Sequence, residues 1–167
     1  AHGQETAETA VGFKWVARAM AERDALIGGE ESGGFSIRGH VREKDGVLMG
    51  LLGAAATAAE PMDDRVNRLI GTHGDIVADK ISVDCPDSEK PRVIDDLEAM
   101  LPEEVADREV ADVVTLDGFK LLLDDGSWLL VRPSGTEPKM RVYAEAGSRD
   151  RVDTLLGAGR NLVAPLI

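Results

Sequence analysis

The sequence predicts a partial α/β layer in residues 1–73, followed by a small α+β domain in residues 74–167 whose antiparallel sheet is covered by two helices. Three observations predict this fold class. A helical spacing of apolar residues leads into a short strand and a glycine-rich loop, as in an α/β unit. Two Asp-Gly pairs separate alternating apolar segments in the second half. The pattern changes between residues 71 and 77, where we place the domain boundary.

The first domain begins with a helix and a short strand. Asp24 to Gly28 is predicted to be a short buried strand that enters a glycine-rich loop. With so few strands the sheet is incomplete, so we expect part of this domain to lie upstream; the absence of an initiator Met also suggests a fragment. From Thr9 onward, the apolar residues with helical spacing are Val11, Trp15, Val16, Ala19 and Met20.

Two more helices complete the first domain. Asp45 is predicted to be the N-cap of an apolar helix that reaches about Glu60, because a carboxylate accepts from the free N–H groups of a first turn. Pro61 opens a second helix through Ile70, which stops near Gly71.

The second domain reads β-α-β-β-β-β-α. Its first strand is predicted at residues 76–83 and its first helix at 88–101, with Val93, Ile94, Leu97 and Met100 inward. The later strands are predicted at residues 110–116, 119–123, 128–131 and 140–146. The final helix is predicted to follow the capping residue Ser148, and its inward residues are Val152, Leu155, Leu156 and Leu162.

Composition excludes several classes of function. The formal charge of −12, from 31 acidic and 19 basic residues, repels nucleic acid, and no basic run offsets it. The longest apolar stretch, residues 47–59, is too short to span a bilayer, and the first residues do not form a signal peptide. Cys85 is the single cysteine, so no disulfide forms within the chain, and we expect it to be a buried small apolar residue. We therefore expect a cytoplasmic protein.

The basic loop, residues 132–141, lies between two predicted strands and carries the groups that a tetrahedral phosphate requires. Pro133 and Pro138 stiffen its ends, which lowers the cost of ordering it on binding. From these residues alone, a phosphate site and a plain polar connection remain open, although three cations in an acidic chain favour the site. The donors are the hydroxyls of Ser134 and Thr136, the backbone at Gly135, and the charges of Arg132, Lys139 and Arg141.

The glycine-rich loop, residues 29–34, is less specific. Its glycines permit a ligand at the backbone, and Glu30 and Ser32 offer a carboxylate and a hydroxyl to sugar hydroxyl groups. An ordinary turn with surface acids fits the composition equally well. The spacing and the lysine of nucleotide-binding loops are missing, so a nucleotide site is rejected.

An ordered set of motifs resembles the α-D-phosphohexomutases, in their phosphoglucomutase/phosphomannomutase branch. The motifs are Glu8 to Lys14, Gly29 to Gly34, His40 to Gly46 and Arg132 to Pro138, and the resemblance covers essentially the whole chain. The resemblance implies a four-domain enzyme, of which this chain matches the end of the third domain and all of the fourth.

The resemblance also implies roles for individual residues. Glu30 and Ser32, beside Gly29, would contact the sugar's 3- and 4-hydroxyls. His40 and Lys44 match positions lining the cleft, and for His40 a structural role and proton transfer both stay open. Glu31 favours glucose by resemblance only, and mannose or an amino sugar remains possible. The implied grip on the non-transferring phosphate consists of Arg132, Ser134, Gly135 and Thr136, with Lys139 or Arg141.

The implied activity is interconversion of hexose 1-phosphate and hexose 6-phosphate through a phosphoserine and a hexose 1,6-bisphosphate intermediate. The phosphoserine and the Asp-x-Asp-x-Asp loop that binds Mg²⁺ have no counterpart in the 167 residues, so the metal ligands and the missing N-terminal domains would lie outside this chain. We therefore expect no turnover by this chain alone. One alternative is a non-catalytic sugar-phosphate binding module. A nucleic-acid module is disfavoured, since only Phe119, Trp128 and Tyr143 could stack on bases.

Overall fold

The computed structural model describes residues 5–167. The chain divides into two compact units, the first ending at Arg68 and the second beginning at Leu69. This division lies before the boundary predicted after residue 73, so the functional limits of the two domains stay a prediction. The first four residues of the predicted first domain lie outside the described residues.

The first unit combines helices with a two-stranded antiparallel hairpin. Gly28 lies opposite Ser36 in the hairpin, and the buried Ser36 hydroxyl donates to the carbonyl oxygen of Val41 at 2.7 Å. The elements, in chain order, are α1 (Phe13–Arg23), β1 (Ile27–Gly29), β2 (Phe35–Ile37), α2 (Gly46–Ala59) and α3 (Met62–His73), which continues into the second unit.

Two predictions for the start of this unit are wrong. The first helix begins only at Phe13, because the φ of 116° at Gly12 is incompatible with a helical backbone and prevents the helix from starting earlier. Val11 therefore precedes the helix and is 55% exposed, while Phe13 and Val16 are buried. The predicted buried strand is also exposed, with Ile27 54% accessible, because a three-residue strand in a hairpin has little apolar surface to bury.

The predicted N-cap at Asp45 is confirmed. One carboxylate oxygen accepts from the backbone N–H groups of Val47 and Leu48, at 2.9 and 3.0 Å. The Leu48 N–H, followed by a hydrogen bond from His40, holds the pKa of this carboxyl below its ordinary value. The cap is therefore fully present above the ordinary aspartate pKa and is lost only as the pH falls through the lowered value.

Removing this cap is expected to expose the first turn of α2. Asp45→Ala should lose the slowed amide exchange of Val47 and Leu48, whereas Asp45→Asn keeps an acceptor oxygen and should retain it. Hydrogen exchange followed by NMR distinguishes the two variants. Equal protection in wild type and Asp45→Ala would show that the cap contributes nothing.

The second and third helices carry unburied apolar surface. Neither α2 nor α3 contains a buried residue, and Val47, Leu51 and Leu69 are 75%, 65% and 58% exposed. A helix as apolar as α2 is normally covered by protein. Among the described residues, no helix is both long and apolar enough to cross a membrane.

The second unit is a six-stranded antiparallel sheet with helices packed on it. Its strand order is β3-β8-β7-β6-β5-β4, so β3 lies at one edge. The elements, in chain order, are β3 (Val77–Asp84), α4 (Lys90–Ala99), β4 (Glu104–Val105), β5 (Arg108–Val114), β6 (Phe119–Leu123), β7 (Trp128–Pro133), β8 (Lys139–Ala146) and α5 (Arg149–Val163). A short 3-10 turn at Ala164–Leu166 follows the last helix.

The predicted α+β architecture is confirmed, since α4 and α5 contribute to one core with the sheet. Cys85 is buried as expected, and burial raises the pKa of its thiol. Met100, predicted to point inward, is 64% exposed because α4 ends at Ala99. Leu101, one residue later, packs against the core in its place. The two-residue strand β4 was not predicted.

Candidate functional site

The basic loop connects β7 to β8. Arg132 and Arg141 are directly opposite each other in the register of these strands. Because paired residues in an antiparallel ladder point to the same face, the two guanidinium groups share one side of the sheet. The strand pairing therefore brings together two of the three predicted cations at the base of the loop.

The backbone of the basic loop is held by its own groups. Ser134 is buried, and its N–H donates to the carbonyl of Lys139 at 2.9 Å, which extends the β7–β8 ladder into the loop. The Ser134 hydroxyl oxygen accepts from the N–H groups of Thr136 and Glu137, at 3.5 and 3.3 Å. The Ser134 side chain thus stabilises the turn as an acceptor, and its hydroxyl O–H can still donate one hydrogen bond.

The tip of the loop is open to solvent. Gly135 and Thr136 are both exposed. A Cβ added at Gly135 would meet no atom within 4 Å. The Gly135 N–H has no hydrogen-bond partner among residues 5–167. The tip therefore presents a backbone donor and a hydroxyl on an ordered base.

Arg132 is oriented by an aromatic neighbour. One of its terminal nitrogens donates to the Tyr143 hydroxyl at 2.9 Å, and its guanidinium lies 5.3 Å from the centre of the Tyr143 ring. The Arg132 Nε is buried and has no hydrogen-bond partner in the described part of the chain. The terminal nitrogen that does not contact Tyr143 donates to no group among the described residues and is not buried, so Arg132 retains hydrogen-bonding capacity for an anion.

Arg141 and Lys139 are held by a carboxylate of the same loop. Glu137 accepts from Arg141 in a close ion pair, and it lies 3.6 Å from the Lys139 ammonium. An arriving phosphate would compete with Glu137 for Arg141, whereas Arg132 faces no such competition among the described ion pairs. Of the three predicted cations, Arg132 is therefore the one best placed to bind a phosphate without first losing an ion pair.

Lys90, the first residue of α4, also reaches the loop. Its ammonium donates to the carbonyl oxygens of Ser134 and Glu137, each at 2.6 Å. Sequence patterns did not indicate this residue, because its contacts join positions 44 and 47 residues apart and no local spacing predicts them. Tyr143 was also missed as a partner of Arg132, although strand alternation from Arg141 places it on the same face.

The glycine-rich loop is the turn of the β1–β2 hairpin. Backbone hydrogen bonds join Glu30 N–H to the Gly34 carbonyl at 2.7 Å, and Gly33 N–H to the Glu30 carbonyl at 3.0 Å. The Glu30 carboxylate is 17% exposed and lies 3.7 Å from the Lys44 ammonium. Gly29 and Ser32 are exposed. The turn therefore places Glu30 and Lys44 in one pair, with Ser32 at the open tip.

His40 belongs to a different pair. Its Nε2 lies 2.8 Å from the carboxylate oxygen of Asp45 that does not cap α2. Asp45 therefore anchors both the helix and the imidazole. This arrangement gives His40 a structural partner, and its catalytic role stays a prediction.

The comparisons with known proteins match both halves of the chain. Residues 1–72 match the family model described as phosphoglucomutase/phosphomannomutase, alpha/beta/alpha domain III. Residues 81–158 match the model of the phosphoglucomutase/phosphomannomutase C-terminal domain. The two matched regions follow each other in the order that the motifs indicated.

Individual relatives agree with the family models. A "probable phosphoglucosamine mutase" of Methanothermobacter thermautotrophicus is 35% identical over 88% of this chain and 32% of its own length. A phosphoglucomutase/phosphomannomutase of Thermococcus kodakarensis is 32% identical over 97% of this chain and 34% of its own. A solved structure from Thermus thermophilus, described as a phosphomannomutase, superimposes with a TM-score of 0.72 at 30% identity, covering 98% of this chain and 32% of that one.

The chain spans about a third of the length of the curated relatives it matches. The matched regions are the domain III and the C-terminal domain of those models. The chain therefore belongs to the phosphoglucomutase/phosphomannomutase family and carries these two domains.

Proposed function

We propose that this chain supplies sugar recognition and phosphate recognition to a phosphohexomutase that interconverts hexose 1-phosphate and hexose 6-phosphate. The basic loop would bind the phosphate that is not being transferred. The glycine-rich loop would bind hydroxyl groups of the sugar through Glu30 and Ser32. The relatives' names include mutases of glucosamine, glucose and mannose phosphates, so the hexose itself is left open.

The observation that carries this proposal is the arrangement of donors in the basic loop. Arg132 has one terminal nitrogen that donates to no group among residues 5–167, and Arg141 lies opposite it across the strands. Gly135 and Thr136, which are both exposed residues, lie at the tip and carry a backbone N–H and a hydroxyl. A phosphate dianion accepts from guanidinium, hydroxyl and backbone N–H groups together, so this donor set suits it.

The same loop could hold the phosphate at either end of the sugar. In a mutase the bisphosphorylated intermediate turns around between half-reactions, so the grip must recognise a phosphoryl group rather than its position on the ring. Donors fixed on a prearranged backbone can do this, because they contact only the phosphate oxygens and not the sugar atoms next to them. Ser134 and Lys90 hold that backbone before any ligand arrives.

Phosphoryl transfer requires groups that we assign to other domains of the same protein, namely the phosphoserine and the Mg²⁺ site. Residues 5–167 contain no group of three or more His, Cys, Asp or Glu side chains arranged to hold a metal. The described residues therefore offer no binding site for Mg²⁺, and we assign them no part in metal-assisted chemistry. Hexose 1,6-bisphosphate would be the intermediate of the reaction. The cytoplasmic location of the protein stays a prediction.

Those other domains also account for the exposed apolar surface of α2. Val47 and Leu51 on this helix are largely accessible, and such surface is normally covered by protein. We therefore propose that the remaining domains of the same protein are the partner that covers it.

Substituting Gly135 tests the proposed phosphate grip. Gly135→Ala should leave stability unchanged, because the new Cβ meets no atom within 4 Å. It should weaken glucose 1-phosphate binding by about tenfold, or about 1.4 kcal/mol, because a methyl group would stand where the phosphate approaches. Calorimetric titration measures the affinity and thermal unfolding measures the stability.

Gly157→Ala is the matched control, since its Cβ also meets open space but lies on α5. It should bind glucose 1-phosphate like wild type. If Gly135→Ala binds like Gly157→Ala, the loop tip does not contact the ligand.

A non-catalytic sugar-phosphate binding module is the alternative. Both proposals predict binding by the basic loop. They differ in turnover: the intact protein, with its remaining domains, should form glucose 6-phosphate from glucose 1-phosphate only if it is a mutase. Binding without turnover in the intact protein would favour the module.

A further inference from the structure

We propose that Lys90 is the positioning residue of the basic loop: it turns the Ser134 carbonyl away from the ligand side and so aims the Gly135 N–H at the bound phosphate. This inference rests on the proposed phosphate grip and names a residue outside the loop on which that grip depends. It assigns Lys90 no contact with the ligand.

The contacts of Lys90 use its full donor capacity. Its ammonium donates to the carbonyls of Ser134 and Glu137 at 2.6 Å each, and it forms an ion pair with Asp87 at 2.5 Å. An ammonium has three N–H donors, so none remains for a ligand. The Lys90 side chain is only 12% exposed, although lysine is rarely buried. A lysine buried against two loop carbonyls is arranged to hold the loop.

The planar trans peptide between Ser134 and Gly135 links the direction of the Ser134 carbonyl to that of the Gly135 N–H. The described residues contain no cis peptide bond, so the Ser134 carbonyl and the Gly135 N–H point in opposite directions within one plane. Because the Ser134 carbonyl points to Lys90, the Gly135 N–H must point away from Lys90. Of the three successive N–H groups in this turn, those of Thr136 and Glu137 are taken by the Ser134 hydroxyl. The Gly135 N–H is the one left without a partner among the described residues.

The charge of the carbonyl oxygens also supports a positioning role for Lys90. A carbonyl oxygen that faced the ligand would repel a phosphate, whereas Lys90 keeps two carbonyl oxygens engaged on the α4 side. The Asp87 carboxylate is 76% exposed, so solvent screens its charge and it contributes little to the field at the ligand. Lys90 acts on the ligand through the backbone that its ammonium holds. Removing the Asp87 charge should therefore change binding little, while removing the ammonium should change it strongly.

The test titrates glucose 1-phosphate into the whole chain and follows amide signals by NMR. Lys90→Met keeps the stem but loses all three donors, and it should weaken binding by about tenfold. The ligand-induced shift of the Gly135 amide should be lost in this variant. Asp87→Asn, which removes a charge and keeps both carbonyl contacts, should bind within about twofold of wild type. Wild-type affinity with the Gly135 shift retained in Lys90→Met would overturn the proposal.

Two further variants keep the outcome decisive. If Lys90→Met does not fold, Lys90→Arg replaces it; a planar guanidinium cannot reproduce two 2.6 Å contacts from the same point. Lys90→Arg should then bind about threefold more weakly, and wild-type binding by it would overturn the proposal. Arg132→Ala is measured in parallel. If it loses affinity while the Lys90 variants do not, only the Lys90 inference fails; if wild type shows no binding, the phosphate grip itself fails.

Discussion

Alanine at Gly118 is expected to lower the free energy of unfolding of the second unit by about 3 kcal/mol. Gly118 has a φ of +116°, which L side chains rarely adopt, and an added Cβ would lie 2.3 Å from the Val131 carbonyl oxygen. Both obstacles are backbone features that no rotamer change relieves. Urea unfolding, followed by the fluorescence of Trp128 in a Trp15→Phe background, measures the loss.

Gly126→Ala is the matched control for this prediction. Gly126 also follows an aspartate in a turn and has a φ of +81°, but its Cβ would meet no atom within 4 Å. It should lose about 1 kcal/mol, which is the backbone strain alone. Equal losses in the two variants would show that the close approach to Val131 has no energetic consequence.

Arg132→Ala in the intact protein is expected to weaken hexose phosphate binding by about 1.5 to 3 kcal/mol, or about 10- to 150-fold. The physical reason is the loss of charge-assisted hydrogen bonds from a guanidinium with one terminal nitrogen that has no partner among the described residues. The ratio of kcat to KM with glucose 1-phosphate measures this loss.

Tyr143→Phe probes the same guanidinium without removing it. The ring remains beneath Arg132, but the hydroxyl that accepts from it at 2.9 Å is lost. We expect a smaller effect, about threefold, because Arg132 would be less well oriented. Arg160→Ala, an exposed arginine on α5, should bind like wild type. An unchanged KM and turnover in Arg132→Ala would remove Arg132 from the site.

The sequence predicted the second unit well because its signals are local. Residues 119–123 were predicted with the bounds that the structure gives, since alternation between two Asp-Gly turns leaves little freedom. The cap at Asp45 was predicted for a similar reason. Met100 was placed inside wrongly because helical periodicity does not indicate that α4 ends at Ala99.

The candidate site could be predicted only in part. Motif order located the basic loop, and strand alternation explains why Arg132 and Arg141 share a face. The sequence did not indicate that Glu137 would pair with Arg141 or that Ser134 would turn its hydroxyl towards the loop backbone. The contacts of Lys90 with the loop could not be predicted, because they depend on how α4 packs beside the loop.

The central claim is that the basic loop captures a phosphoryl anion, and an NMR titration of the chain with glucose 1-phosphate, glucose 6-phosphate and glucose tests it most directly. We predict that both phosphates shift the amide signals of Gly135 and Thr136 and the Nε signal of Arg132, with similar affinities, and that glucose leaves these signals unchanged. Phosphates that leave all three signals unmoved, or glucose that moves them equally, would contradict the claim.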